Sequence, residues 1–206
     1  MALSKNELSE IEQVLKTALR YKFSNYNPEP ASMPFHTRLL GKDRLALFSF
    51  IHSLNTNFGT SIFEPVAIAL SKKNFKSAKS HIKAGEYISE KALVEIQKIM
   101  DELSTAMSSP DKPKEIETIR KVCREGTMRQ VKLTEVDVFL ESKTEDLYLF
   151  DIKTAKPNAG GFKEFKRTLL EWVAATLASK PESKVNTIIA IPEVPPKFWT
   201  VPIGVF

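Results

Sequence analysis

Apolar positions recur every three or four residues in most of the first half of the chain and every second residue in parts of the second half. The switch of period predicts a helical half followed by a sheet. Residues 4–20 read as a helix, with Leu8, Ile11, Val14, Leu15, Ala18 and Leu19 on one face and Ser4 and Glu7 in a capping-box pattern. Residues 24–37 hold three prolines and many turn formers, which predicts an irregular loop. A second helix is expected over 43–54, broken by NTNFGTS, and a short third helix over 61–69. A further amphipathic helix is expected over 86–107, with Ala92, Leu93, Ile96, Ile99, Met100 and Leu103 inward, and SSPDKPK then reads as a loop.

Beyond that loop, residues 131–140 and 147–154 alternate like strands and are joined by the polar ESKTED. KPNAGG marks a turn. Residues 162–178 read as a helix with Phe162, Phe165, Leu169, Trp172, Val173, Thr176 and Leu177 on its apolar side. The apolar, β-branched 185–191 reads as a buried strand, which makes strand, helix and strand a right-handed parallel crossover. The expectation is an α/β fold in which an antiparallel hairpin feeds a βαβ unit in a mixed sheet. It forms one domain over 1–206, mostly helical in 1–110, with sheet and helix in 111–206.

The apolar fraction of 42% is ordinary and supports a packed core. A net charge of +5 suits an anionic partner such as nucleic acid. One cysteine, Cys123, and three scattered histidines exclude a disulfide framework and a structural zinc site, which fits a reducing compartment. MALSKNELSEIEQ is too polar for a signal peptide, and no apolar run approaches the roughly 20 residues that cross a bilayer. The expected location is cytoplasmic, with no membrane partner.

Residues 71–85 contain five lysines and no acid. Lys72, Lys76, Lys79 and Lys83 recur at helical spacing, either as a solvated face or as a stripe that contacts phosphates.

The predicted hairpin carries the chemistry. Asp151 and Lys153 lie two apart on a strand and so share a face. If the hairpin closes on a five-residue loop over 142–146, Asp137 falls directly opposite Asp151. Opposed side chains have Cβ atoms about 4.5–5.5 Å apart, and like charges there destabilise a sheet. A hard divalent cation relieves that repulsion, and Mg2+ is typically held by one or two carboxylates plus phosphate and water. Such an ion polarises a scissile phosphate and lowers the pKa of bound water. Lys153 would hold the attacking water or offset transition-state charge. The plainer alternative is a pair of strand-end acids with Lys153 as a salt-bridge partner.

Glu64 has two readings. It is a further metal ligand, or it completes a capping box with Ser61 at a helix start. After Lys153, the basic residues Lys156, Lys163, Lys166 and Arg167 face only Glu164, beside Asn158, Gly160 and Gly161. Arg120, Lys121, Arg124 and Arg129 form another basic cluster before the hairpin. Both clusters are candidate DNA contacts, to phosphates or to bases.

The pattern Asp137, then Asp151-Ile152-Lys153, resembles the PD-(D/E)XK nuclease superfamily, with Val136 in place of the usual proline. The stretches PFHTRLLGKDRLALFSFIHSLNTNFGTSIFEPVA (34–67) and FDIKTAKPNAGGFKEFKRTLLEWVA (150–174) resemble TdeIII-like type II restriction endonucleases. The resemblance covers about 34–192. It implies a restriction-endonuclease-like core, magnesium-dependent cleavage of double-stranded DNA at a short palindrome, GGNCC-like, and a homodimer. It also strengthens the ligand reading of Glu64. Members of that family continue past the AIP strand, so the C-terminus is expected to be shortened. Two alternatives stand beside it: a structure-specific repair or recombination nuclease, and an inactive DNA-binding remnant.

Overall fold

The computed structural model describes residues 4–26, 34–154 and 158–191, with the side chains at 34, 55–57 and 159 outside that description. The chain forms two compact units, Met1–Leu70 and Ser71–Phe206.

The first unit is helical. Helix α1 spans Lys5–Asn25, and its capping box is formed: Ser4 Oγ accepts from the Glu7 N–H at 3.3 Å, and Glu7 Oε2 accepts from the Ser4 N–H at 2.7 Å. Helices α2 (Pro34–Leu40) and α3 (Lys42–Phe58) meet at Gly41, whose φ of 77° suits a residue with no Cβ. Phe23 and Tyr26 of the α1 end pack on Phe50 of α3, with ring centroids 5.8 and 4.9 Å apart.

The expected break at NTNFGTS is not there. Helix α3 runs through it into a π-helical turn, Gly59–Phe63, and on into α4 (Glu64–Ser71). The wider turn absorbs the Gly-Thr-Ser run without losing helical hydrogen bonding, and the Glu64 N–H donates to the Gly59 carbonyl.

The second unit contains a four-stranded mixed sheet in the order β1-β4-β5-β6: Ser77–Ile82, Val136–Glu141, Leu147–Ile152 and Val185–Ala190. β1 and β5 each pair antiparallel with β4, and β5 and β6 run parallel through helix α7 (Ala159–Ser179). The expected hairpin and parallel crossover are therefore present. A short ribbon pairs β2 (Tyr87–Ser89) with β3 (Met128–Gln130).

Three expectations need correction here. The lysine-rich 71–85 is not a helix: its centre is β1, an edge strand, so Lys72, Lys76 and Lys79 do not form a helical stripe. Charged side chains are usual on an edge, where they discourage further pairing. The helix expected from residue 86 begins later, as α5 (Glu90–Ser104), because β2 takes 87–89 and Ser89 caps the helix by accepting from the Ala92 N–H at 3.1 Å. The loop expected at SSPDKPK ends early. Asp111 accepts from the Lys114 N–H at 3.1 Å and starts α6 (Lys112–Val122), with Pro113 in its first turn, where a missing N–H costs nothing.

The core joins Leu147, Leu149 and Val185 of the sheet to Ile96 and Met100 of α5, Ile119 of α6, and Leu169, Trp172, Val173 and Leu177 of α7. Full burial of each such side chain contributes about 1.5–3 kcal/mol. Gly85, before β2, lies so close to α7 that an added Cβ would sit 2.8 Å from the Ala175 carbonyl oxygen. That approach, with Trp172 Nε1 donating to the Thr134 carbonyl at 3.0 Å, seats α7 on the chain that leads into β4.

Candidate active site

The site is built by a five-residue turn. Ser142 Oγ accepts from the N–H groups of Thr144 (3.2 Å) and Asp146 (2.9 Å), and the Ser142 N–H donates to the Asp146 carbonyl at 2.9 Å. Those bonds fix the register Glu141↔Leu147 through Val138↔Phe150. One step further sets Asp137 opposite Asp151, as the alternation of the two segments predicts. Asp151 continues the row of Leu147 and Leu149, so a carboxylate stands at the end of an apolar row and is only 6% exposed.

Three contacts define the centre. Asp137 Oδ2 accepts from the Ile152 N–H at 2.7 Å. Lys153 Nζ lies 2.5 Å from Asp151 Oδ1. The Lys153 backbone N–H donates to the Ala190 carbonyl at 2.9 Å, so β6 holds the residue that follows the strand. Burial pushes the Asp151 carboxyl up from its ordinary pKa; the Lys153 ammonium opposes that shift, and the Asp137 carboxylate adds to it.

The donor chemistry fits a hard cation. Two carboxylates from adjacent strands meet at one spot, and one of them is raised in pKa by burial and by its neighbour, a state that a bound cation would relieve. Among the described residues no group of three or more His, Cys, Asp or Glu is placed to hold a metal ion, so the centre here is the two-carboxylate pair.

Glu64 lies in the first unit and is 3% exposed. The capping-box reading of Ser61 and Glu64 is corrected: Ser61 is inside the π-helical turn, and the Glu64 N–H is already bonded to Gly59 within a continuous helix. A π-turn inside a helix is frequent at functional sites, which adds weight to an active role for this buried acid.

The basic residues separate by environment. Lys72 and Lys79 are exposed, while Lys76, also exposed, is ion-paired with Glu141 at 2.8 Å and Glu145 at 3.4 Å. Lys163 is exposed on α7, and Arg167 donates to Gln97 Oε1 at 2.7 Å. Arg124 donates to the carbonyls of Ala178 and Ser179 at the end of α7, and Arg129 pairs with Glu90 at 2.6 Å. Lys156 lies outside the described residues.

Lys166 is a correction. It is 4% exposed and ion-paired with Glu115, so it braces α7 against α6 instead of facing solvent. A helix that packs on two sides buries part of the face that its charge pattern marks as exposed. Lys112, Glu115 and Lys166 line a cavity of about 660 Å³ that contains neither Asp137 nor Asp151.

Sequence reasoning missed Phe165 as a neighbour of the site. Its ring centroid lies 4.7 Å from Lys153 Nζ. The available signal was an aromatic residue on the apolar face of the helix that follows β5.

Comparison with known proteins identifies the family. The family model described as type II restriction endonuclease, HinfI, matches residues 3–197. The type II restriction enzyme MjaII of Methanocaldococcus jannaschii is 28% identical over 226 residues, covering 99% of this chain and 58% of that protein. The chain thus spans a little over half the length of that curated relative. No solved structure matches it. The type II restriction endonuclease resemblance carried by 34–67 and 150–174 therefore holds, with HinfI as the family that matches. By that match over nearly its whole length, the chain belongs to the HinfI family of type II restriction endonucleases.

Proposed function

We propose that this chain is a magnesium-dependent restriction endonuclease, with a restriction-endonuclease-like core, that hydrolyses phosphodiester bonds of double-stranded DNA at a short palindrome, GGNCC-like. The observation that carries the reading is the convergence of Asp137, Asp151 and Lys153 at the end of the β4–β5 hairpin. Asp137 and Asp151 would hold the cation, and the family resemblance keeps Glu64 as a candidate further ligand. The bound ion supplies Lewis-acid polarisation of the phosphate and a lowered pKa for water. Lys153 orients the attacking water and offsets charge on the phosphoryl oxygens. Water oxygen bonds to phosphorus as the bond to the leaving sugar oxygen breaks.

Lys72, Lys76, Lys79, Lys163 and Arg167, with Arg124, Arg129 and Lys156, supply the phosphate contacts in this reading, and Lys166 does not. One constellation per chain cuts one strand, so a duplex cut at a palindrome calls for a two-fold pair of chains. The work on DNA belongs in the cytoplasm, and among the described residues no helix is long and apolar enough to cross a membrane.

Digestion of a plasmid of known sequence tests the reading. The expected result is discrete fragments with magnesium and intact plasmid with EDTA. A smear would favour the repair or recombination nuclease. Binding without cleavage at any magnesium concentration would overturn the enzymatic reading in favour of a DNA-binding remnant.

A further inference from the structure

We infer that Phe165 is a positioning residue for Lys153, holding the ammonium over its ring so that it stays at the reacting phosphate. The inference rests on the catalytic reading of Lys153 and goes beyond it, because Phe165 touches neither phosphate nor metal in that scheme. A lysine has a flexible four-carbon stem, and a single ion pair fixes its end poorly. Lys153 has its backbone tied to Ala190 and its ammonium 2.5 Å from Asp151, yet its side chain is about one-third exposed. The Phe165 ring, with its centroid 4.7 Å from Nζ, is the second contact that keeps the ammonium from swinging to water. The face of an aromatic ring carries partial negative charge and attracts a cation held within about 6 Å.

The ring itself is well anchored. Phe165 packs against the core from α7. The next residue, Lys166, is buried and ion-paired with Glu115 of α6. One turn on, Leu169 is buried, and two turns on, Trp172 is hydrogen-bonded to Thr134, three residues before Asp137. The helix that presents the ring to Lys153 is thereby tied to the chain that presents Asp137. A flexible apolar side chain would fill the same space, but without the charge distribution that holds an ammonium.

The test compares Phe165→Met and Phe165→Leu, which keep apolar bulk, with Phe165→Tyr and Phe165→Trp, which keep the ring face. Single-turnover plasmid cleavage in saturating magnesium is measured beside DNA affinity in calcium and the melting temperature. Phe165→Met and Phe165→Leu should cut about three- to thirtyfold more slowly, the range expected for a lost cation–π contact, with DNA affinity within about twofold of wild type. Phe165→Tyr or Phe165→Trp should cut near the wild-type rate. Wild-type cleavage by both aliphatic variants would overturn the inference. So would equal loss in the aromatic and aliphatic variants, which would make the ring a packing element only. Lys153→Ala is run alongside. Full cleavage by that variant would sink the catalytic reading itself, whereas a dead Lys153→Ala beside fully active aliphatic variants would sink only the role of Phe165.

Discussion

Asp137 Oδ2 sits 2.7 Å from the backbone N–H of Ile152, the residue between Asp151 and Lys153. The acid of one strand is thus hydrogen-bonded to the backbone of the D-x-K tripeptide of the next, which fixes the Asp137 carboxylate beside Asp151. The register of the hairpin places the pair.

The pair has a stability consequence. The folded-state pKa of Asp151 is raised, first by burial and then by Asp137, with Lys153 opposing. A folded chain that binds this proton more tightly than the unfolded one is stabilised fully below the ordinary aspartate value, about 4, and loses that contribution as pH rises through the folded value. In EDTA at neutral pH, Asp151→Asn should therefore melt higher than wild type, by on the order of 1 kcal/mol of stability. Magnesium should raise the melting temperature of wild type more than that of the variant. A less stable variant, with equal magnesium responses, would make these acids structural partners.

Lys112 gives the opposite sign. Burial, with Lys166 beside it and Glu115 opposing, lowers its pKa to about 8, and its ammonium donates to the Thr187 carbonyl. The unfolded chain holds that proton up to the ordinary lysine value, so stability should rise with pH from about 8 towards 10. Denaturant melts at pH 7.5 and 9.5 should show a rise in wild type, on the order of 2 kcal/mol from this group, that Lys112→Gln lacks. Parallel pH dependence in the two proteins would contradict the buried placement of this amine.

Glu64 is testable by its charge. With no capping box at Ser61, Glu64→Gln removes a carboxylate without disturbing a helix start. A metal ligand predicts a large loss of cleavage at low magnesium, partly rescued as magnesium is raised, with little change in DNA affinity. Normal cleavage across the magnesium titration would leave Glu64 with a structural role.

DNA affinity should fall with salt at a slope of about −0.9 per phosphate neutralised. Lys79 is exposed on β1, whereas Lys76 is already paired with Glu141 and Glu145. Lys79→Ala should flatten the slope by close to one phosphate and Lys76→Ala by less, in binding isotherms taken from low to moderate salt. Slopes unchanged by Lys79→Ala would mean that β1 faces away from DNA.

The hairpin was legible because two signals agreed: alternation on both strands and a loop of fixed length, which together set the Asp137–Asp151 register. The α1 capping box was legible for the same local reason. Strand β1 was not, because SAKSHI is an edge strand whose one lysine, Lys79, joins Lys72, Lys76 and Lys83 outside it in a spacing that mimics a solvated helix face. Helix α6 was hidden by Pro113, which reads as a breaker unless the Asp111 cap is recognised. Lys166 looked exposed because burial of an amine depends on Glu115, 51 residues away, which no local pattern shows. The Lys153–Phe165 contact was invisible for a similar reason: it depends on how α7 returns across the sheet.

The most direct measurement is plasmid cleavage by wild type, Asp137→Ala and Asp151→Asn at matched folded concentration, in saturating magnesium, with DNA binding followed in parallel. The account predicts discrete fragments from wild type and a loss of about a thousandfold or more in each variant, since removal of a catalytic metal ligand costs several kcal/mol of transition-state stabilisation, while both variants still bind DNA. Cleavage at the wild-type rate by either aspartate variant would contradict it.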